Sequence, residues 1–176
     1  MIHESCILFI MNGKDVLVIL KIRCSGGRGP YQALASDLGL SVGAVHQSVR
    51  VGLSAGLLGD KGHMVVKPAF REWVLYGVKY FFPLKILGVG RGLATGLSSA
   101  PFADAFHASA QMGWVWPDAD GEVKGELVQP LAPAVPTAAR RDVNLYQWLV
   151  VLDLLRGGGL REKKMAETWV LEALSE

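Results

Sequence analysis

Cysteine is scarce in this 176-residue sequence, which has two, Cys6 and Cys24. Two thiols build no disulfide framework and match no metal-ligand spacing, so buried or unpaired thiols are expected. Charge is sparse as well: 19% of the residues are charged and 51% are hydrophobic, against a usual charged share of roughly 25%. Ample apolar material for a core excludes global disorder. Long hydrophobic runs are lacking too. The longest stretches without a charged residue, Ala105 to Pro117 and Leu127 to Ala139, are 13 residues each, short of the roughly 18 that a membrane-spanning helix needs. No basic segment precedes the short apolar run Cys6 to Met11, so export is not supported; the cytoplasm is the expected compartment, with no membrane partner. The histidines His3, His46, His63 and His107 are dispersed and no H-E-x-x-H occurs, so neither a metal site nor a cofactor is expected.

Glycine, by contrast, is abundant: 21 residues, where the usual share of roughly 7% would give about 12. The fold should therefore be punctuated by turns. The length fits one compact domain, or a small motif domain with a partner region. The net charge of +2 hides an asymmetry, since residues 1–100 hold 11 Lys and Arg against 5 Asp and Glu, and residues 101–176 hold 7 against 11. The positive end is the candidate surface for a polyanion.

Residues 15–24 are almost uniformly apolar and suit a first helix capped by Asp15, with a buried strand as the alternative because β-branched residues are frequent. Ser25 to Gly29 reads as a loop, with Pro30 at a first helical position. Tyr31, Leu34, Ala35 and Leu38 then form one apolar helical face that Gly39 closes. Ser41 follows as an N-cap, and Val42, Val45, Val49 and Leu53 recur at helical spacing until Gly56. Leu57 to Val66 reads as a short hairpin around Gly59-Asp60-Lys61-Gly62, with Lys61 at its tip. Residues 70–82 form an amphipathic helix through Phe70, Trp73, Val74, Val78 and Phe81, stopped by Pro83. From Leu84 to Pro136 loops and short strands are expected, with a short helix around Phe102 to Met112. Asp142 starts a helix apolar on two sides, Leu145, Trp148, Leu149 and Leu152 on one and Tyr146, Val150 and Leu154 on the other. Gly157-Gly158-Gly159 breaks it, and residues 161–174 form a last helix with Met165, Trp169, Val170 and Ala173 inward.

Helix, tight glycine turn, helix and hairpin make the run from Tyr31 to Val66 the strongest functional signal. In a helix-turn-helix the first helix braces the second, which is free to lie in the major groove. With Val42, Val45, Val49 and Leu53 inward, the helical angle leaves Gly43, Ala44, Gln47, Arg50, Val51 and Ser54 outward. Small residues at 43 and 44 permit close approach, Gln47 suits an adenine edge, and Arg50 suits a phosphate or a guanine. Ser41 and the amides beside it suit a phosphate, and His46 lies at the flank. Arg28, Tyr31, Lys61 and His63 complete the candidate DNA-binding set. The segments Tyr31-Gln32-Ala33-Leu34-Ala35, Leu38-Gly39-Leu40-Ser41, Val45 to Arg50 and Ala55-Gly56-Leu57-Leu58 resemble the winged helix-turn-helix of MarR-type and related bacterial regulators. Together with Phe70 to Pro83 and Trp116 to Glu126 they also resemble a broad group of uncharacterised bacterial winged-helix proteins. The resemblance covers about 40 residues. It implies a three-helix core, a β-hairpin wing, a second-helix reader and usually a homodimer. Gly52 departs from the pattern, standing where such regulators usually place a core leucine.

Other motifs read more simply. Gly52-Leu53-Ser54-Ala55-Gly56 matches a nucleophile elbow, with Asp104 and His107 in suitable order, but an elbow needs a strand before the serine and a helix after it, and here a helical face runs into Ser54. No catalytic residue is expected. Gly88-Val89-Gly90-Arg91-Gly92 lacks the third glycine of a dinucleotide loop and any following Gly-Lys-Ser/Thr, and reads as a mobile loop. Asp118-Ala119-Asp120-Gly121 lacks the third acid of a calcium loop and reads as a turn between strands. Trp114 and Trp116 alternate as in a strand.

The expected fold class is mainly α (α+β): a winged helix-turn-helix with a small β-hairpin wing in residues 1–70 and a helical bracing and dimerisation region in residues 71–176. The expected function is sequence-specific binding of double-stranded DNA as a transcriptional regulator, a homodimer on a pseudo-palindromic operator paired through Tyr146, Trp148, Leu149, Val150 and Leu152. The alternative is an interaction subunit, antitoxin-like or adaptor, that uses the same fold and the two-sided helix to dock a protein partner.

Overall fold

A computed structural model describes residues 10–103 and 112–175. The first helix, α1 (Gly13–Cys24), begins one turn before the expected cap. Asn12 is the N-cap, its side chain accepting from the N–H groups of Lys14 and Asp15, while the Asp15 carboxylate accepts from the N–H of Asn12. This reciprocal box satisfies donors that the first turn leaves open. The helix is buried almost all round, Val16 to Leu20 and Ile22 included, which is why its sequence carries no amphipathic stripe. Helices α2 (Tyr31–Leu38) and α3 (Val42–Ser54) follow, joined by Gly39 in the left-handed conformation (φ 64°) and capped at Ser41. The strands β1 (Leu58–Gly59) and β2 (Met64–Val65) pair antiparallel, Leu58 opposite Val65 and Gly59 opposite Met64. Helix α4 runs through Lys67–Glu72, a wider π-type turn Trp73–Gly77 and Val78–Phe81. Phe70, Val74 and Val78 are buried as expected; Phe81 is not, and lies exposed beside Tyr80.

The Gly-rich middle is more regular than its composition suggests. Strands β3 (Ile86–Thr95), β4 (Trp114–Pro117) and β5 (Val123–Val128) close on themselves, with β3 antiparallel to both neighbours and β4 parallel to β5. Gly88 to Gly92, expected as a loop, lies inside β3. Closure of so small a sheet needs backbone contact that side chains would prevent: a Cβ on Gly92 would lie 1.9 Å from the Trp116 carbonyl oxygen. Asp118 to Gly121 forms the expected turn, held by Arg140 Nε and Nη2 at 2.8 and 2.7 Å from Asp118 Oδ2. Most of the short helix expected around Phe102 to Met112 lies outside the described residues, as do Asp104, His107, His3 and Cys6.

Three helices complete the fold: α5 (Val135–Arg141), absent from the sequence reading, α6 (Val143–Gly157) and α7 (Leu160–Ser175). Asp142 caps α6, accepting from the N–H groups of Asn144 and Leu145. The assignment of α6 to dimerisation is corrected here. Both of its apolar sides are covered within the chain: Trp148, Leu149, Val150 and Leu152 are buried, and half-buried Tyr146 donates to the Ala94 carbonyl at 2.8 Å. Trp148 packs edge-on against Phe70 and Trp169, at 5.5 and 5.0 Å between ring centroids. A helix read as needing a second copy is instead the centre of this one.

The core runs without a break across residue 70. α1 touches both α3 and α6, and a Cβ on Gly13 would lie 1.6 Å from the Leu131 carbonyl oxygen. Lys21 Nζ bridges Asp142 at 2.7 Å and Asp37 at 3.1 Å, fastening α1, α2 and the cap of α6 together. Arg23 donates to the Ala173 carbonyl of α7 at 2.6 Å. Beneath the sheet, buried Asp153 accepts from Thr95 Oγ1, Trp116 Nε1 and Arg156 Nη1 at 2.8, 2.7 and 2.7 Å, so this charge is fully surrounded by donors. Cys24 is half-buried, and burial, aided by Asp142 and opposed by Arg23 and Lys21, pushes its thiol up to about 12. That leaves a thiol and not a nucleophile at neutral pH. Among the described residues no helix is long and apolar enough to cross a membrane, and no group of three or more His, Cys, Asp or Glu gathers for a metal ion.

Candidate nucleic-acid interface

The position of α3 is fixed from below. Ser48, fully buried, donates from Oγ to Asp15 Oδ1 at 2.6 Å, and the other oxygen of that carboxylate takes the Asn12 N–H at 2.9 Å. Asp15, read from the sequence as a cap, is therefore the anchor of α3 on α1. Serine at 48 between apolar Val45 and Val49 is the available clue, since a polar residue on a buried face requires a partner. Gly52 faces the same way and is explained by close approach: a Cβ there would meet Leu58 Cδ1 at 2.7 Å and Ile19 Cδ1 at 3.3 Å. A leucine at this position would separate the hairpin from α3.

These contacts rotate the helix from its expected phase. Val45 and Val49 are inward, but Val42 and Leu53 are 46% and 38% exposed, while Val51, expected outward, is buried. The rest of the outward set stands. Gly43, Gln47 and Arg50 are exposed and Ala44 is partly so, one turn after another along the helix. Ser41 Oγ accepts the Ala44 N–H at 3.2 Å and so serves as the cap of α3.

Arg28, Tyr31, His46 and His63 come together, though they belong to the α1–α2 loop, α2, α3 and the hairpin. The Arg28 guanidinium lies 4.3 Å over the Tyr31 ring, and that ring is 5.4 Å from His46. Arg28 Nη2 donates to His63 Nε2 at 2.8 Å, and the Arg28 N–H reaches the His63 carbonyl at 2.6 Å. Because arginine only donates, His63 Nε2 is the acceptor in this bond. The four side chains thus tie the hairpin to the helix pair. Lys61 is exposed between β1 and β2, at φ 53° beside Asp60 at φ 45°, an unusual left-handed pair for residues other than glycine.

The electrostatics shift the emphasis within this surface. Between residues 25 and 60, Arg28 and Arg50 balance Asp37 and Asp60, so α2 and α3 contribute no net charge. Between 61 and 91 there are six cations, Lys61, Lys67, Arg71, Lys79, Lys85 and Arg91, against Glu72. All but Lys79 are exposed. The positive excess of the first hundred residues therefore lies on the hairpin, α4 and β3. Compared with family models, characterised proteins and solved structures, the chain matches none.

Proposed function

We propose that the protein binds duplex DNA and regulates transcription by occupying its site, with α3 as the reader in the major groove. The observation that carries this reading is the exposed ladder Gly43, Ala44, Gln47 and Arg50 on a helix whose opposite side is anchored through Ser48 and Gly52. Two small residues at the start of the helix let its backbone approach the groove, and Gln47 and Arg50 offer the side chains that pair with adenine and guanine edges. Lys61, with Lys67 and Arg71 on α4, supplies sequence-independent phosphate contacts. Arg28 and His63, engaged with each other, hold the hairpin at its angle. Because α6 is covered within the chain, the proposal is made for one copy on DNA, and the stoichiometry of the same titration measures any pairing on a pseudo-palindromic site.

The test is fluorescence anisotropy of a labelled mixed-sequence duplex over a range of salt concentrations. Three to five phosphate contacts give a slope of log K on log salt of about −3 to −4.5. A second reading, docking of a protein partner, draws on the neutral α2–α3 pair and the exposed aromatics Tyr76, Tyr80 and Phe81 on α4. Duplex affinity that is absent at low salt would favour it over DNA binding.

A further inference from the structure

A cleft of about 410 Å³ opens where the three-stranded sheet meets the junction of α6 and α7. Ile86, Leu97, Trp114 and Leu154 give it apolar walls, and Glu126 from β5 and Glu162 from the first turn of α7 add two carboxylates. Gly159 makes room for one of them, since a Cβ there would lie 2.6 Å from Glu162 Oε2. Among the described residues no lysine or arginine lines the cleft. Among the described residues neither glutamate is ion-paired. The volume falls in the ordinary range of small-molecule sites, roughly 300 to 1,000 Å³.

We propose that this cleft binds an organic cation with apolar substituents, an alkyl or aryl ammonium, its charge held by Glu126 and Glu162 and its apolar part against Trp114, Leu97 and Leu154. An anion would be repelled by the two carboxylates, and a neutral ligand would gain no charge contact from them. The face of an indole attracts a cation and at the same time offers a wide apolar surface. A bare metal ion is a poorer fit, because two carboxylates among apolar walls leave most of its coordination unmet. The proposal is independent of DNA binding.

The test is isothermal titration calorimetry of the full chain with benzyltrimethylammonium, with its uncharged carbon isostere neopentylbenzene, and with benzenesulfonate. Binding of the cation at submillimolar to low-millimolar concentration, with at least tenfold preference over the isostere and none for the sulfonate, is the expected result. Glu126→Gln and Glu162→Gln should each weaken the cation by about tenfold and leave the isostere unaffected, as expected for one lost charge contact at partial screening. Glu172→Gln, on the exposed side of α7, should change nothing, and circular dichroism verifies each fold. Should a variant fail to fold, the Trp114 indole N–H resonance of the parent replaces it: the cation should shift it and the sulfonate should not. Equal affinity for cation and isostere, or no saturable cation binding at millimolar concentration, overturns the proposal. Glutamine variants that bind the cation like the parent also overturn it.

Discussion

Replacing Ser48 by alanine removes the hydroxyl that joins α3 to α1 and leaves Asp15 Oδ1 buried without that donor. A hydrogen bond to a charged group contributes about 1.5 to 3 kcal/mol. Alanine is the better helix former, which returns about 0.5 kcal/mol. The net destabilisation is therefore about 1 to 2.5 kcal/mol. In a domain of this size each kcal/mol moves Tm by about 2 to 4 °C, so the melting point should fall by about 2 to 10 °C. Urea unfolding followed by circular dichroism measures the free energy, and a thermal melt the shift. Ser54→Ala is the control: Ser54 is exposed at the last turn of the same helix and should stay within about 0.5 kcal/mol of the parent. If Ser48→Ala is as stable as Ser54→Ala, the Asp15–Ser48 bond does not anchor α3 and the account of its position fails.

Arg50→Ala should remain folded and lose about 1 to 3 kcal/mol of duplex affinity, concentrated on specific sites, by anisotropy. Lys61→Ala should weaken specific and nonspecific duplexes alike and make the salt slope shallower by about 0.9; an unchanged slope would remove the hairpin from the interface. Arg156→Met should cost about 3 to 5 kcal/mol in urea unfolding, because it strands Asp153 as a buried charge. Asp142 titrates below the usual carboxylate range: burial pushes it up, but the Lys21 hydrogen bond and the amides of Leu145 and Asn144 outweigh that. Its contribution is present above the unfolded carboxylate value of about 3.9 and is lost as pH falls through the folded value. The stability difference between the parent and Asp142→Ala should accordingly be constant near neutrality and shrink in acid.

Much of the backbone plan was legible in the sequence. Gly39 and Ser41 marked a turn that only glycine and a capping residue serve well, and the positions of α2, α3, the hairpin, α6 and α7 followed from periodicity. Periodicity reports how many sides of a helix are apolar, not what covers them, so the two-sided α6 was read as a dimer surface when α1, α4 and α7 of the same chain enclose it. Likewise, the glycines of β3 were read as loop because composition cannot show that strands close so tightly that Gly92 touches Trp116. Within the candidate site the exposure of Gly43, Gln47 and Arg50 was legible at helical spacing, whereas that of Val42 and Leu53 and the burial of Val51 were not. The anchor of α3 was not legible either, because Asp15 and Ser48 are 33 residues apart and each has an ordinary local role.

The enclosure of α1 also bears on how the chain is made. Synthesis proceeds from the N-terminus at about 5 to 20 residues per second, so α1 leaves the ribosome many seconds before Leu131, Asp142 and Ala173, the residues that cover it and pair its cations. Until then α1 has only α2, α3 and the hairpin to shelter against, and α3 rests on a support that is itself half-finished. A prematurely terminated copy would therefore display apolar residues of α1 that α6 otherwise covers.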